Sequence, residues 1–318
     1  MKSQMLRKCC QPVNSCERGT MKSRFLPCYG SFALRPYLES EPSSKEGSLT
    51  GNIVHHELNS RLLGKRDLVV YLPPGYSDYD SYNYPFALLQ DGQNIFDKST
   101  AVFGVEWGAD EAAEQLIVEQ KMEPTILVAI YNSPHRIDEY TPFPDPAHGG
   151  GKAPLYREFL IHEVIPYLEA RYTLSKHRSQ RAVIGSSLGG LLALYLGWTE
   201  SETFGLVGAL SPSLWWGQRG LITSIAGGVS PDVPPKIWLD AGTRESMTDS
   251  NQNGVPDLLD DLRTLRAVLC YQGMEEGEDL FYREVEGGTH DEHSWSDRIG
   301  KVFISFFPKR DDAARFYR

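Results

Sequence analysis

The sequence has no long apolar run: no stretch of its 318 residues approaches the roughly 18 apolar residues that a membrane-spanning helix needs. It also has no excess of positive charge, since 32 Lys and Arg residues face 42 Asp and Glu residues, for a formal net charge of −10. That balance argues against nucleic acid as a partner. With 41% hydrophobic residues the chain can still bury a large core. The composition therefore predicts a soluble globular protein.

Cysteine is scarce in most of the chain, because four of the five cysteines lie within residues 9–28 and the fifth is Cys270. This distribution excludes a disulfide framework for the fold, and no C-x-x-C pair indicates a zinc site. The cysteine-containing segment is also basic, and residues 37–51 after it are rich in Ser and Glu. We therefore predict that residues 1–51 are a disordered tail and linker and that residues 52–318 form a single domain.

Beyond residue 52, short β-branched or apolar runs alternate with longer amphipathic ones, which is typical of strands alternating with helices. The predicted strands cover residues 66–72, 86–90, 125–131, 182–185, 206–210, 236–240 and 280–286. The predicted helices cover residues 110–119, 153–172, 188–198 and 258–272. Such alternation indicates an α/β fold, in which helices cover both faces of a mostly parallel sheet in a three-layer αβα sandwich.

A serine in a glycine-rich turn follows the fourth predicted strand. The segment GSSLGG, residues 185–190, leads directly into an apolar helix and matches the G-x-S-x-G pattern of a nucleophile elbow. Such a turn holds Ser187 in a strained conformation and raises its hydroxyl above the sheet. The N–H of Leu188, at the start of the helix, would then point at a developing oxyanion. The pattern also fits an ordinary glycine-rich turn, but its position between strand and helix favours a nucleophile.

Candidate partners of Ser187 lie in loops after later strands, in the chain order Ser, acid, His that this architecture favours. His290 follows the last predicted strand and is the predicted base, although His293 lies close by in the sequence. Two acids, Asp240 and Glu245, follow the strand before it. Asp240 ends that strand, whereas Glu245 lies farther along the loop and is better placed to orient the imidazole. We expect Glu245 to be the acid and keep Asp240 as the alternative.

A second oxyanion donor is expected from the loop after an earlier strand, where residues 91–94 read Asp-Gly-Gln-Asn. Gly92 lets the backbone approach a ligand closely, which leaves the N–H of Gln93 available. Asp-Gly turns without such a role are common, so the assignment of Gln93 depends on the other candidate residues of the site.

Six segments occur in an order that is known from one family: VYLPPGY (70–76), LLQDGQNIFD (88–97), RIDEYTP (136–142), GSSLGG (185–190), SPSLWW (211–216) and GGTHDEHSWSDRI (287–299). Over about residues 52–307 the chain resembles the Putative esterase family of α/β-hydrolases. That family includes enterochelin esterases, feruloyl and acetylxylan esterases, S-formylglutathione hydrolases and mycolyltransferases. The DGQN and H-D-E-x-x-W segments are most similar to the enterochelin-esterase-like branch.

The resemblance implies a role for each candidate residue. By it, Ser187 is the nucleophile, His290 the base and Glu245 the acid, while the N–H groups of Leu188 and Gln93 form the oxyanion hole. It also implies that the substrate pocket is lined by aromatic side chains, namely Trp107, Trp215 and Trp216. Core packing is the alternative interpretation of these tryptophans.

Residues 249–260 match a calcium loop that the family does not require. They read D-x-N-x-N-G-x-x-D-x-x-D, the spacing of an EF-hand loop with Asp instead of Glu at position 12. No second loop exists to pair with it, so the segment resembles an isolated, dockerin-like loop, and a polar loop without metal is the alternative. The predicted ligands of a structural Ca²⁺ are the side chains of Asp249, Asn251, Asn253, Asp257 and Asp260 and the carbonyl of Val255.

The leading hypothesis is therefore a serine carboxylic-ester hydrolase that works through an acyl-enzyme and needs no cofactor for its chemistry. The same residues would serve an acyltransferase, and a non-catalytic, calcium-dependent binding module on this fold is an alternative from another class. The expected partner is a small-molecule or carbohydrate-linked ester. The lack of a clear secretion signal favours the cytoplasm, whereas a calcium loop and polymeric esters favour the cell exterior.

Overall fold

An eight-stranded sheet lies at the centre of the computed structural model, which describes residues 48–78 and 82–309. In chain order the strands are β1 (Asn52–Ser60), β2 (Gly64–Leu72), β3 (Phe86–Gln90), β4 (Ile126–Ile130), β5 (Pro144–Asp145), β6 (Gly149–Gly150), β7 (Arg181–Ser186), β8 (Leu206–Leu210), β9 (Lys236–Gly242) and β10 (Leu280–Val285). The sheet has the order β1-β2-β4-β3-β7-β8-β9-β10, and β5 pairs with β6 in a separate hairpin. Only the β1–β2 and β2–β4 pairs of the sheet are antiparallel.

The α-helices of the described residues are α1 (Ala109–Val118), α2 (Arg136–Tyr140), α3 (Ala153–Phe159), α4 (Ile165–Glu169), α5 (Leu188–Thr199), α6 (Trp216–Gly227), α7 (Asp257–Tyr271) and, after the last strand, α8 (Glu292–Phe306). A wider π-helical turn over Leu160–Val164 joins α3 to α4. The helices cover both faces of the mostly parallel sheet, which confirms the predicted α/β, three-layer fold.

Alternate residues of the central strands point to opposite faces, so the sheet separates two hydrophobic clusters. Leu88 of β3 packs in a cluster with residues of α5 and α7. Ala87 and Leu89, on either side of it, pack in a second cluster with residues of α1 and α8. Because both faces are covered, every residue of β3, β4 and β8 is buried. Burial on both faces explains why these strands are continuous apolar runs in the sequence.

The structure contains several elements that were not predicted, and it divides one helix that was. The sequence did not predict β1, an edge strand in which only one of nine residues is buried. The predicted helix over residues 153–172 is divided by the π-helical turn, and its last helical residue is Glu169. No range was predicted for the β5–β6 hairpin or for α2, α6 and α8, and α6 begins at the second of the two adjacent tryptophans.

The prediction of a disordered tail concerns residues that lie almost entirely outside the described part of the chain. Residues 1–47, with four of the cysteines, are outside it, and β1 begins at Asn52, where we expected the domain to begin. Among the described residues, Cys270 is free and exposed. None of the helices described is long and apolar enough to cross a membrane.

Candidate active site

Ser187 occupies the sharp turn between β7 and α5, with φ 55° and ψ −121°. This left-handed conformation is costly for a residue with a side chain and is typical of a strained functional turn. The turn also needs glycine beside it, because a Cβ on Gly185 would lie 2.5 Å from the carbonyl oxygen of Gly189. The backbone N–H of Ser187 donates to the carbonyl of Leu210 at 3.0 Å, which fixes the turn against β8.

The structure brings the hydroxyl of Ser187, the imidazole of His290 and the carboxylate of Glu245 into one hydrogen-bonded chain. Ser187 Oγ lies 3.0 Å from His290 Nε2, and His290 Nδ1 lies 2.9 Å from Glu245 Oε2. His290 lies between β10 and α8, and Glu245 follows β9. The three side chains meet because parallel strands present their carboxyl ends at the same edge of the sheet.

The loops that carry the acid and the histidine are bound to each other. The N–H of Arg244 donates to the carbonyl of Gly288 at 2.9 Å, and the N–H of Gly287 donates to the hydroxyl of Thr243 at 2.9 Å. The loops approach so closely that a Cβ on Gly242 would overlap the carbonyl of Gly288. These contacts fix the separation between the carboxylate and the imidazole before any substrate binds.

The alternative acid and the alternative base are placed elsewhere. Asp240 is fully buried, and its carboxylate accepts hydrogen bonds from Arg298 Nη1 at 2.8 Å and from the indole of Trp238 at 2.7 Å. Burial raises the pKa of Asp240 to about 6. His293 is exposed on the first turn of α8. Of the two acids, it is Glu245 that contacts the imidazole of His290.

The two predicted oxyanion donors lie in segments that packing holds in place. Leu188 is the first residue of α5, where backbone N–H groups have no acceptor within the helix. Gly92 is packed so tightly that a Cβ would lie 2.6 Å from the carbonyl carbon of Ile130. The side-chain oxygen of Gln93 accepts from the N–H of Asn132 at 3.3 Å, which anchors the loop to the end of β4.

The structure places further polar residues beside this site that the sequence did not single out. The hydroxyl of Ser213 lies 3.2 Å from that of Ser187. Asp91 forms a two-point ion pair with Arg136, at 2.6 and 2.7 Å, and also accepts from the amide of Asn132. Ser213 and Arg136 belong to the segments SPSLWW and RIDEYTP that carry the family resemblance, and that was the available signal. The contacts themselves join residues 26 and 45 positions apart, which no local pattern reveals.

The three tryptophans that we expected to line the pocket have different surroundings. Trp216 is buried, and its indole N–H donates to the carbonyl of Phe143 at 2.8 Å. Trp107 is only 2% exposed, and its ring packs against Trp295, which lies edge-on to the His290 ring at 5.1 Å. Trp107 therefore supports the histidine from the protein side. Trp215 is 40% exposed and packs against His148, at a ring separation of 5.8 Å.

The predicted calcium loop folds around its own hydrogen bonds. Asp249 accepts from the N–H of Gly254, and the side-chain amides of Asn251 and Asn253 both donate to Asp260 Oδ2, at 2.9 and 2.8 Å. The remaining predicted side-chain ligand is Asp257, and its carboxylate accepts from the hydroxyl and the N–H of Ser250. In the described part of the chain, no group of three or more His, Cys, Asp or Glu residues is placed to hold a metal ion.

Comparison with known proteins supports an esterase. A family model described as Putative esterase matches residues 60–306. The Iron(III) enterobactin esterase of Escherichia coli (strain K12) is 30% identical over 160 residues, which cover 48% of this chain and 36% of that protein. The chain thus covers little more than a third of this relative.

Solved structures of low sequence identity share the fold. The enterobactin esterase FES from Shigella flexneri matches with a TM-score of 0.65 and 22% identity, over 81% of this chain and 60% of that chain. The siderophore hydrolase EstA from Aspergillus nidulans matches with a TM-score of 0.61 and 22% identity, over 84% of this chain and 99% of that chain. Both matches show that the chain has the fold of these esterases.

Proposed function

Since the chain belongs to the Putative esterase family, we propose that it is a serine carboxylic-ester hydrolase with Ser187 as its nucleophile. The observation that carries this proposal is the continuous chain of hydrogen bonds from Ser187 through His290 to Glu245. The strained turn at Ser187 supports it, because a purely structural turn would gain from relaxing.

The geometry suggests a two-step reaction. Ser187 Oγ attacks the ester carbonyl while His290 Nε2 takes its proton, and the Glu245 carboxylate stabilises the resulting imidazolium through Nδ1. The N–H groups of Leu188 and Gln93 bind the oxyanion. The imidazolium then protonates the leaving alcohol, which leaves the acyl group on Ser187. Water, deprotonated by His290, hydrolyses this acyl-enzyme and restores the free serine.

We propose small-molecule esters of the siderophore type as the substrate class. The support comes from the names of the similar proteins, an iron(III) enterobactin esterase and a siderophore hydrolase. The EstA match also extends over 99% of that protein, so a chain of this size can carry the complete fold of a siderophore hydrolase.

Hydrolysis of p-nitrophenyl esters, from acetate upward, by the wild type and by Ser187→Ala tests the proposed function. We expect the variant to lose at least about 10³-fold in kcat, because the covalent step needs the hydroxyl. Ser224→Ala, on the exposed side of α6, is the matched control and should retain full activity. Equal rates for Ser187→Ala and the wild type, without labelling of Ser187 by a fluorophosphonate, would instead indicate a non-catalytic binding module.

We further propose that the loop of residues 249–260 binds Ca²⁺ and stiffens the segment that follows Glu245. The support is the sequence pattern and the clustering of Asp249, Asn251, Asn253 and Asp260 in one loop. An ion there would replace the amide–carboxylate hydrogen bonds at Asp260. We expect the melting temperature of the full chain to rise with calcium and fall with a chelator, and Asp249→Ala to abolish the difference. A melting temperature that calcium leaves unchanged contradicts this proposal.

A further inference from the structure

Ser211, the residue directly after β8, has a backbone conformation that does not suit a serine. Its φ is 47°, in the left-handed region that glycine adopts without strain, and it is fully buried. A side chain that persists at such a position is usually required for what it contacts. The contacts of the Ser211 hydroxyl therefore indicate its role.

The direction of the hydrogen bonds at this hydroxyl is determined by its partners. The indole N–H of Trp295 donates to Ser211 Oγ at 2.9 Å, and Arg298 Nη2 donates to it at 3.3 Å. Indole and guanidinium groups can only donate, so they occupy both lone pairs of the hydroxyl. The single proton of Ser211 must then go to Glu245 Oε1, which lies 2.5 Å away.

Arg298, which donates to the Ser211 hydroxyl, is itself held in place by other contacts. Its Nη1 donates to Asp240 at 2.8 Å, its Nη2 lies 3.7 Å from Glu245 Oε1, and its side chain is 3% exposed. The charged and titratable groups that contact one another here are Asp240 from β9, Glu245 from the loop after it, Arg298 from α8 and His290 from the loop before α8. The guanidinium therefore cannot turn away from Ser211 without leaving Asp240 unpaired in the core.

We propose that Ser211, oriented by Arg298, is a positioning residue that fixes the carboxylate of Glu245 and through it the imidazole of His290. The hydroxyl and the N–H of Gly242 both bind Glu245 Oε1, which leaves Oε2 directed at His290 Nδ1. The carboxylate then keeps its orientation while the imidazole gains and loses its proton. This inference rests on the proposed function, since it deepens the role of the same site.

Ester hydrolysis by full-length Ser211→Gly and Ser211→Ala variants tests the proposal. The glycine variant removes the hydroxyl and also relieves the backbone strain, so we expect it to unfold at a temperature no lower than the alanine variant. For both variants we expect kcat to fall about 10–100-fold, because a carboxylate that loses one of its hydrogen-bond donors orients the imidazole less well, with KM within about twofold of the wild type. We also expect the acidic limb of kcat/KM against pH to move to lower pH, because a misplaced carboxylate stabilises the imidazolium less.

Gln120→Gly is the matched control, because it relieves the same kind of strain, at φ 61°, on an exposed residue that follows α1. It should change neither kcat nor the pH profile. A folded Ser211→Gly or Ser211→Ala variant with the kcat and pH profile of the wild type would overturn the positioning role. That result leaves the proposed function intact, whereas an active Ser187→Ala variant would remove the proposed function itself.

Discussion

At the scale of single residues, the carboxylate near the end of β9 and the carboxylate in the loop after it differ in what they contact. Glu245 divides its oxygens between His290 on one side and Ser211 with Gly242 on the other. Asp240 directs its carboxylate at Arg298 and Trp238. The orientation of the imidazole therefore depends directly on Glu245. It depends on Asp240 only indirectly, because Asp240 binds Arg298.

Replacing each acid by its amide separates these roles. We expect Glu245→Gln to lower kcat by about 10³–10⁴-fold, because an amide stabilises neither the required tautomer nor the imidazolium. Asp240→Asn should reduce kcat far less and should instead lower the melting temperature. Steady-state kinetics and thermal unfolding of both variants provide the measurement. A larger loss of kcat in Asp240→Asn would reverse the assignment of the acid.

The residues of the candidate site were predictable from the sequence only where a motif or the order of the elements along the chain indicated them. Ser187 lies in a turn motif, and the order of strands and loops along the chain led to His290 and Glu245. Ser211 lies in the segment SPSLWW, but no local pattern reveals its contacts, because its partners Glu245 and Arg298 lie 34 and 87 residues away and meet it only through the sheet topology. Its positive φ is a property of the folded backbone that a serine in the sequence does not reveal.

At the scale of elements, the first turn of α1 holds an acid whose pKa is raised by burial. Asp110 is fully buried, and its Oδ2 accepts from the N–H of Thr50 at 2.7 Å. Within the described residues, Asp110 Oδ1 and Glu111 Oε2 are buried without a hydrogen-bond partner. Burial, with the neighbouring Glu111, raises the pKa of Asp110 to about 8. Burial thus outweighs the helix dipole, which favours the anion by only about 0.3–1 kcal/mol.

This carboxyl predicts how stability depends on pH. The pKa of Asp110 is about 8 in the folded state and 3.8 ordinarily. The stability that Asp110 contributes to the folded state is therefore fully present below pH 3.8 and is lost as the pH rises towards 8. The loss is at most about 1.4 kcal/mol per pH unit. We expect Asp110→Asn to gain melting temperature relative to the wild type between pH 5 and 8. The exposed Asp297→Asn is the control, and a constant difference for Asp110→Asn across that range would contradict the prediction.

Elements were predictable where burial on both faces left an uninterrupted apolar run. The strands β3, β4 and β8 are examples, and each was predicted to within a residue of its observed bounds or at those bounds. β1 was missed because an exposed edge strand needs few apolar residues, and its sequence NIVHHELNS has only three aliphatic ones. The π-helical turn between α3 and α4 was not predicted, because one extra residue in a single turn hardly changes the spacing of the apolar residues along the helix.

At the scale of the whole molecule, a buried ion pair joins the last helix to the sheet beneath the site. Arg298 of α8 and Asp240 of β9 lie 2.8 Å apart, with side chains 3% and 0% exposed. Breaking one partner of such a pair costs about 3–5 kcal/mol, because the other charge is left buried and uncompensated. The same contact therefore affects both the stability of the fold and the orientation of Ser211.

A double-mutant cycle on this pair measures its share of the global stability. We expect Arg298→Met and Asp240→Asn each to lower the free energy of unfolding by about 3–5 kcal/mol, and the double variant to lose less than their sum. Burial already raises the pKa of Asp240 to about 6, so in Arg298→Met its carboxyl takes up a proton as the pH falls. The penalty of that variant should therefore be smaller at pH 5 than at pH 8.

Urea unfolding at the two pH values provides the free energies for this cycle. Arg263→Met is the control, because Arg263 pairs with Glu284 at 2.7 Å on the surface, with side chains 44% and 26% exposed. Solvent weakens such a pair, so its loss should cost at most about 1 kcal/mol. Additive single-variant losses at Asp240 and Arg298, or a penalty for Arg298→Met that does not change with pH, would show that the two charges are solvated independently. Arg298 would then lack the fixed position from which it orients Ser211. The positioning of Glu245 would depend instead on the N–H of Gly242 and on the contacts between the loops that carry the acid and the histidine.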